Sequence, residues 1–260
     1  MATDLCLCTS RKDRKPRNVL CVIPARYAST RLPGKPLKDI AGKPMICRVY
    51  ERAAKASRVA AAIVATDDSR IYDAVLQHGG KAVMTREDHP TGTDRLAEVA
   101  EKDQDVDLII NVQGDEPLIE PKLIDELAAA FDGDADLQMA TVCTEITDES
   151  EQQNPNNVKV VMDKQGYALY FSRSLLPYPR HEGTPVYKHI GIYAYKRDFL
   201  LAYAKMAETP LEHAESLEQL RALENGYRIK VIKTPYRFVG VDTAEDLAKV
   251  NAIYRQMMQG

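Results

Sequence analysis

Long apolar runs, paired cysteine motifs and a strong excess of one charge are all missing from this sequence. No apolar run among its 260 residues approaches the roughly 20 residues of a membrane-spanning helix, so we expect no membrane-spanning segment. The chain has 35 Lys and Arg residues against 38 Asp and Glu residues, a formal net charge of −3. This balance gives no reason to expect nucleic acid or an anionic membrane as a partner, and any anion site must be local.

Five cysteines are present, but their number is odd and no two have C-x-x-C spacing. Cys21, Cys47 and Cys143 lie in or beside apolar segments, which favours buried, free thiols in a reducing compartment over a metal site. Asp4 interrupts the segment in which a secretory signal would need an apolar core. We therefore expect a cytoplasmic protein.

The first 17 residues end in a cluster of five Lys and Arg residues and show neither helical nor strand periodicity. We predict a disordered N-terminal extension over 1–17. A single domain is predicted to follow over 18–260.

From residue 18 onward, short β-rich runs alternate with longer segments of helical spacing. The predicted strands are 18–23, 62–65, 81–84 and 108–112, and the helices between them are 43–57, 67–79 and 93–102. This alternation predicts right-handed βαβ units and an α/β fold with a Rossmann-like, doubly wound, mostly parallel sheet. Ligands in such sheets bind beyond the carboxyl ends of the strands, so the loops after the strands are the candidate site.

The second half of the chain has fewer helices between its β-rich runs. These runs are 137–146, 158–163, 167–173 and 187–195. They predict a smaller mixed α/β extension that continues the sheet with antiparallel strands. Two more predicted strands, 227–233 and 236–242, flank Pro235, and a final helix is predicted over about 243–258.

The loop "VIPARYASTRLPGKPL" follows the first predicted strand and carries Arg26, Arg31 and Lys35 without an acidic residue. It is neither a Walker A sequence nor a G-x-G-x-x-G turn. With one glycine, its backbone can hardly cradle phosphates alone, so long cationic side chains must bind the anion. A solvated basic loop is the alternative, but three cations would repel each other unless an anion joins them.

Two acidic positions follow other predicted strands. Asp115 in "NVQGDEP" emerges at the carboxyl edge of the sheet, where a carboxylate can hold a hard cation, and it is a magnesium candidate. Asp242 in "GVDTAEDL" ends a predicted strand, and either Asp242 or Thr243 is expected to cap the last helix. Capping and metal binding by Asp242 are compatible if different oxygens are used.

The segment "HPTGTDRLAEVA" opens a predicted helix after the third strand. Its entrance holds Thr91, Gly92, Thr93 and Arg95. Backbone N–H groups and hydroxyls at such a turn suit a nucleotide base or ribose, although the pattern is also that of a capped helix. His189 lies in an alternating strand, and a lone strand histidine is more often a hydrogen-bonded structural residue than a catalyst.

Nine motifs in one order together resemble a known family over about residues 18–258. They are IPARYASTRLPGKPL, VATDD, HPTGTDRLAEV, NVQGDEP, NPNNVKVV, YALYFSR, HIGIYAY, LEHAESLEQLR and GVDTAEDL. This set closely resembles the 3-deoxy-manno-octulosonate cytidylyltransferases, also called CMP-KDO synthetases.

The resemblance implies a homodimeric, magnesium-dependent enzyme with a sheet of the nucleotide-diphospho-sugar transferase type. Its reaction joins CTP and KDO to give CMP-KDO and pyrophosphate, for lipopolysaccharide synthesis. It further implies a nucleotide-binding part over about 18–136 and a sugar-binding and dimerisation part over about 137–235. A closing strand and a C-terminal helix would then occupy 236–260.

The resemblance also assigns roles to residues. Arg26 and Lys35 are implied triphosphate ligands, and Asp115 and Asp242 the magnesium carboxylates, so that these four form the catalytic set. The implied nucleotide-binding residues are Pro24, Ala25, Arg26, Lys35, Thr91, Arg95 and Asp115. The residues expected near the sugar acid are Gln113, Arg173, His189, Glu218 and Gln219.

Two alternatives remain open on the sequence. A cytidylyltransferase for a related acid sugar would differ first in the "HIGIYAY" and "LEQL" segments. A nucleotide-binding regulator without turnover would be favoured by the loss of Asp115 or Asp242, and both are present.

Overall fold

The structure, a computed structural model, describes residues 18–28, 32–181, 183–236 and 238–259. Arg31 and the predicted disordered extension lie outside the described residues. The strands are β1 (Val19–Ala25), β2 (Asp39–Ile40), β3 (Lys43–Pro44), β4 (Ala61–Thr66), β5 (Ala82–Met84), β6 (Leu108–Asn111), β7 (Met139–Ile146), β8 (Lys159–Met162), β9 (Ala168–Ser172), β10 (Val186–Lys196) and β11 (Ile229–Lys233). The α-helices are α1 (Met45–Ala53), α2 (Ser69–Gln77), α3 (Gly92–Lys102), α4 (Pro121–Ala129), α5 (Glu149–Gln153), α6 (Arg197–Tyr203), α7 (Pro210–Glu215), α8 (Gln219–Glu224) and α9 (Ala244–Gln259).

The main sheet has the strand order β11-β7-β10-β6-β1-β4-β5. β1 pairs in parallel with both β4 and β6, and β4 pairs in parallel with β5. Central strands of this kind are buried on both faces, and Cys21, Val22 and Ile23 of β1 are fully buried. The predicted parallel half of the sheet is confirmed.

Helices cover both faces of the sheet, as expected for a doubly wound fold. On one face, side chains of α1, α2 and α4 pack with alternate β1 residues such as Cys21 and Ile23. On the other face, α3, α6 and α8 pack with the intervening residues, among them Leu20 and Val22. The period-two alternation of β1 therefore supplies both apolar layers.

The second half extends the sheet mainly with antiparallel pairs, as predicted. β10 runs antiparallel to β6, β7 and β8, and β8 pairs antiparallel with β9. β11 differs, because it pairs in parallel with β7. The β6 to β10 pairing places strands of the two predicted parts side by side in one sheet.

β10 contains a bulge next to the cavity described below. Ile190 pairs with Val142 and Tyr193 with Thr141, so three steps along β10 correspond to one step along β7. The carbonyl of Gly191, inside the bulge, accepts a hydrogen bond from the Gln113 side chain at 3.0 Å. The hydroxyl of Thr141 donates to the bulge carbonyl of Ile192 at 2.8 Å. The bulge is thus held by side chains from two neighbouring segments.

The predicted strand over 236–242 is wrong for the described part of that segment, 236 and 238–242, which forms no strand. Its alternating apolar residues serve another purpose. Val241 is fully buried in a small cluster with Ile40, Met45, Val250 and Tyr254, beneath α9. The alternation therefore reflects packing under a helix and not pairing at a sheet edge.

The second half also holds helices that the periodicity did not predict. These are α5, α6, α7 and α8, each of five to seven residues. Two turns or fewer carry too little 3.6-residue periodicity to be distinguished from a loop.

The described cysteines behave as predicted. Cys21, Cys47 and Cys143 are buried free thiols. Burial raises the pKa of Cys21 to about 12 and that of Cys47 to about 11, so neither is a thiolate at neutral pH. Within the ranges that the structure describes, no helix has both the length and the apolar character needed to cross a bilayer.

Candidate active site

Parallel pairing brings the carboxyl ends of β1 and β6 together, and a glycine lets the chain after β6 come close to β1. A Cβ atom on Gly114 would lie only 2.9 Å from the carbonyl oxygen of Pro24, a distance that real side chains do not adopt. Glycine therefore lets the chain after β6 approach the end of β1, where Pro24 and Ala25 lie. This approach places Asp115 beside the loop that follows β1.

The cationic loop returns to the sheet through a second glycine. Gly34 has a φ of 65° and precedes a short 3₁₀ helix, Lys35–Leu37. Lys35 at its start directs its ammonium between two carboxylates. Nζ lies 2.7 Å from Oδ2 of Asp115 and 3.0 Å from Oδ1 of Asp242. Residues far apart in sequence thus form one charged cluster, and the anions that join Lys35 in this structure are carboxylates.

Thr243 caps α9, and the carboxylate of Asp242 contacts Lys35. The Thr243 hydroxyl accepts from the backbone N–H of Asp246 at 3.2 Å and donates to its carboxylate at 2.9 Å. This capping box decides between the two capping residues that the sequence left open. Further along α9, the Asn251 side chain accepts from Ala41 N at 2.9 Å, and this bond anchors the helix to the β2–β3 hairpin.

The charged cluster changes the protonation of its members. Burial lowers the pKa of Lys35, but the charges and hydrogen bonds of Asp115 and Asp242 outweigh it, so the pKa is raised above its ordinary value. Lys35 is therefore a cation throughout the physiological range. Burial, together with the charge of Asp115, raises the pKa of the neighbouring Glu116 to about 8.

Asp115 and Asp242 are the residues in position to hold a metal. Their oxygens converge on a single cationic atom, Lys35 Nζ. In the parts of the chain that the structure describes, no group of three or more His, Cys, Asp or Glu side chains could hold a metal. Two carboxylates suit Mg²⁺, which commonly binds one or two carboxylates and completes its shell with water and substrate phosphates.

Arg26 connects the loop after β1 with the turn before α3. Its Nη2 group donates to the carbonyl of His89 and lies 3.4 Å from that of Thr91. The guanidinium has five N–H donors, so these contacts of one nitrogen leave donors for a phosphate. Its predicted contact with the triphosphate stays a prediction.

The turn before α3 is a capped helix entrance. The Thr91 hydroxyl accepts from Asp94 N at 3.2 Å and donates to Oδ2 of Asp94 at 2.7 Å. Arg95 is fully buried, with Nη2 2.5 Å from Asp67 Oδ2 and Nη1 bonded to Thr85. The Arg95 side chain has no exposed surface here, and its predicted part in a cytidine pocket stays a prediction.

A cavity of about 150 Å³ opens next to this edge of the sheet. Its lining residues are Gly92, Thr93, Asn111, Gln113, Met139, Tyr193, Tyr195, Tyr203, Glu218 and Gln219. Three of the residues predicted near the sugar acid therefore share one cavity: Gln113, Glu218 and Gln219. Gln113 is only two residues from Asp115, so the cavity adjoins the charged cluster.

The cavity wall presents polar atoms that lack a protein partner. Oδ1 of Asn111, Oε1 of Glu218 and Nε2 of Gln219 are buried without a hydrogen-bond partner among the described residues. Each such atom costs free energy unless a ligand or water satisfies it, about 1–3 kcal/mol. Burial also raises the pKa of Glu218 and of Tyr193, so the phenol remains a neutral donor. The wall is therefore built for a polar, hydroxyl-bearing ligand.

Arg173 and His189 lie outside the cavity lining as the described residues form it. The Arg173 guanidinium donates to main-chain carbonyls, among them Glu215 O at 2.7 Å. His189 lies behind the wall, with its ring centroid 5.4 Å from that of Tyr193 and Nε2 3.0 Å from the Thr141 hydroxyl. A direct contact of either residue with the sugar stays a prediction.

Several lining residues were missed in the sequence. Asn111 had a detectable signal, because it is a polar residue at the end of an otherwise apolar strand. Tyr193 and Tyr195 are two residues apart in β10 and so lie on one face, which marks an aromatic wall. Tyr203 on the short α6 carried no comparable signal.

The fold and the site define a nucleotide-binding α/β class with carboxylates and a lysine at the carboxyl edge of its sheet. The chain belongs to the cytidylyltransferase family, which it matches over residues 20–231.

Two relatives in this family have high sequence identity to the chain. The chain is 58% identical over 232 residues to the 3-deoxy-manno-octulosonate cytidylyltransferase of Fusobacterium nucleatum, covering 89% of this chain and 94% of the relative. It is 54% identical over 244 residues to the enzyme of that name from Geobacter metallireducens, covering 89% and 96%.

Two solved structures are also similar to this chain. CMP:2-keto-3-deoxy-manno-octonic acid synthetase complexed with CTP has a TM-score of 0.89 and 50% identity, covering 92% of this chain and 99% of that chain. The 4-diphosphocytidyl-2C-methyl-D-erythritol synthase of Anaerococcus prevotii is similar in fold, with a TM-score of 0.62 at 14% identity and coverage of 92% and 97%. The predicted Rossmann-like, doubly wound fold is confirmed.

We predict that His189 makes the folded protein sensitive to acid. Burial lowers its pKa from 6.5 to about 3, so between those values the unfolded chain binds a proton that the folded chain does not. Stability therefore falls as the pH drops through this window, by about 1.4 kcal/mol per pH unit at most. Urea unfolding of His189→Gln between pH 4 and 6, relative to its own value at pH 7, should show a shallower loss.

His78→Gln is the matched control, because His78 is exposed on the surface. That variant should keep the wild-type slope. Equal slopes for His189→Gln and the wild type would contradict a buried, neutral His189.

Proposed function

We propose that this chain transfers CMP from CTP to the 2-hydroxyl of KDO, releasing pyrophosphate and forming CMP-KDO for lipopolysaccharide synthesis. One observation carries this proposal. A cavity adjoins the cluster of Lys35 and two aspartates, and its buried polar atoms on Asn111, Glu218 and Gln219 have no partner among the described residues. The first feature suits a polyhydroxylated acceptor, and the second suits a triphosphate with its cation.

Gln113 connects the two halves of the proposed site. It lines the cavity, donates to the carbonyl of Gly191 at 3.0 Å, and lies two residues before Asp115. An acceptor in the cavity would therefore approach a nucleotide held at the carboxyl ends of β1 and β6. The relatives named for this activity, at 54–58% identity over most of the chain, support the choice of KDO.

In the proposed reaction the acceptor oxygen bonds to the α-phosphorus of CTP while the bond to the departing pyrophosphate breaks in line. The hydroxyl loses its proton and the pyrophosphate leaves as an anion, so no protein group needs to become covalently attached. Catalysis then rests on positioning and on charge stabilisation. Lys35, whose pKa is raised, supplies a permanent positive charge for the phosphates.

Mg²⁺ is the proposed cofactor, held by Asp115 and Asp242. The donor set fits, because these two carboxylates already face a common point occupied by the Lys35 ammonium. When bound, the ion would neutralise phosphate charge and lower the pKa of the attacking hydroxyl. The proposed role of Arg26, whose guanidinium lies against the turn before α3, is to contact the phosphates.

The proposed setting is the cytoplasm, where CTP is made, and the proposed assembly is a homodimer. Exposed apolar side chains in the second part of the chain support an assembly. Leu169 on β9 is 63% exposed and Tyr178 is 84% exposed. Among the described strands, β9 forms a ladder only with β8.

We expect sedimentation velocity to report a dimer, of twice the 29.1 kDa chain mass. Leu169→Lys should lower the dimer fraction, because a charge would replace apolar contact area. A monomer at micromolar concentration would contradict the proposed assembly.

The reaction itself is tested by pyrophosphate release with CTP, Mg²⁺ and KDO. We expect release that depends on all three components and a product whose mass corresponds to CMP-KDO. Release with sialic acid at an equal or higher rate would indicate a cytidylyltransferase for a related acid sugar. CTP binding without release for any acid sugar would indicate a nucleotide-binding regulator.

Asp115→Asn should lose turnover by about 10²–10³-fold while keeping the fold and CTP binding. The side chain is about a third exposed, and Asp242 remains as a partner for Lys35, so a large loss of stability is not expected. Turnover is measured by pyrophosphate release and CTP binding by calorimetry.

Asp163→Asn, in an exposed turn between β8 and β9, is the control and should keep full turnover. Survival of activity in Asp115→Asn would show that Asp115 is not a metal carboxylate.

A further inference from the structure

The segment between α7 and α8 delivers two residues to the cavity. Glu218 and Gln219 follow directly after Glu215, Ser216 and Leu217, and both carry buried polar atoms without a partner among the described residues. Neither helix is longer than six residues. Because such short helices are not stable alone, something else must hold this segment in place.

Besides the apolar packing of Leu217 and Leu220, Glu215 makes a polar connection to the sheet. Its Oε1 atom accepts a hydrogen bond from the Ser172 hydroxyl at 2.5 Å, and Oε2 accepts from the backbone N–H of Arg173 at 2.9 Å. Both donors are at the end of β9. One carboxylate therefore uses both oxygens to join the end of α7 to β9.

Arg173 completes the connection from the other direction. Its Nε donates to the carbonyl of Glu215 at 2.7 Å, and Nη2 lies 3.4 Å from that of Ser216. Nη1 donates to the carbonyl of Pro155 at 3.2 Å. The guanidinium thus binds main-chain oxygens on two loops, and its position is fixed by backbone atoms.

Lys159 binds the main chain of Arg173 and of the loop at Asn154. It is fully buried, and its ammonium donates to the carbonyl of Arg173 at 2.6 Å and to that of Asn154 at 3.0 Å. A buried ammonium is costly unless it is hydrogen-bonded, so these carbonyls are tied firmly to it. We use the name Glu215 clamp for Glu215, Ser172, Arg173 and Lys159.

The backbone inside the segment requires such a clamp. Ser216 has a φ of 51°, in the left-handed region that non-glycine residues seldom adopt. A conformation of this kind is unfavourable for a residue with a Cβ atom and persists only where the surroundings impose it. A second tie, the buried ion pair of Arg221 with Glu212 at 2.8 Å, fixes α7 against α8.

We propose that Glu215 is a positioning residue for the acceptor site: through Ser172 and Arg173 it fixes the segment that presents Glu218 and Gln219 to the cavity. The residues on the nucleotide side, Lys35, Asp115 and Asp242, are held by other elements. Loss of the clamp therefore affects the acceptor and leaves the nucleotide unaffected. This inference rests on the proposed function, since it takes the cavity as the acceptor site.

Asp125 offers a closely matched control. Its carboxylate accepts from the Ser57 hydroxyl at 2.9 Å and from the backbone N–H of Arg58 at 2.7 Å, as Glu215 does from a serine and the following arginine. Asp125 lies on α4, which packs on the opposite face of the sheet. Asp125→Asn therefore measures how much the loss of such a carboxylate contact changes the kinetic constants when the contact lies away from the cavity.

The test is steady-state kinetics of Glu215→Gln with CTP and KDO varied separately. Glutamine has one acceptor oxygen in place of two, so one of the two donors faces an NH₂ group. We expect the KM for KDO to rise at least ~10-fold, within the ~10²-fold that a misplacement of 1 Å can cost, while the KM for CTP stays near wild type. Asp125→Asn should change neither constant.

Ser172→Ala removes one donor and keeps the carboxylate with its bond to Arg173 N, so it should shift the KM for KDO in the same direction but less. If Glu215→Gln does not fold, the KM of Ser172→Ala for KDO is the test of the proposal. The proposal is overturned if a folded variant changes the KM for KDO no more than Asp125→Asn does, or if the KM for CTP rises in parallel. The activity of the wild type on KDO tests the proposed function. The ratio of the variant's KM for KDO to that of the wild type tests the role of Glu215.

Discussion

An ammonium group between two carboxylates is the contact on which the arrangement of this molecule depends. Lys35 comes from the loop after β1, Asp115 from the turn after β6 and Asp242 from the approach to α9, so three distant segments must converge within 3.0 Å of one nitrogen. Parallel pairing brings two of these segments to one edge of the sheet. The third arrives because α9 packs over the β2–β3 hairpin, through Asn251.

Much of the fold follows from patterns that are visible in the sequence. Strands buried on both faces appear as continuous apolar runs, and the helices between them show regular apolar spacing, so β1, β4, β5 and β6 were predicted within two residues. The strand-end position of Asp115 likewise follows from the topology. The alternation at 236–242 wrongly predicted a strand, because Val241 packs beneath a helix. Periodicity alone does not distinguish such packing from pairing in a sheet.

The lining of the cavity beside the charged cluster was only partly predictable from the sequence, for a physical reason. Its wall depends on which side chains find partners, and that is decided by tertiary contacts. Arg173 and Arg95 have the sequence character of ligand-binding cations, yet their guanidinium groups are used within the protein. Asn111, in contrast, lies in an apolar strand, and its side-chain oxygen Oδ1 has no partner among the described residues. A polar residue in a buried run therefore indicates a residue of the cavity lining.

The bulge in β10 has a consequence for how this chain can vary in length. Side chains alternate between the faces of a strand, so His189, Tyr193 and Tyr195 lie on one face only because the sequence separations between them are even. Removing or adding one residue within the bulge would turn every side chain on one side of it to the opposite layer. Point substitutions in β10 change a single contact, whereas single-residue insertions and deletions would exchange the cavity wall with the core.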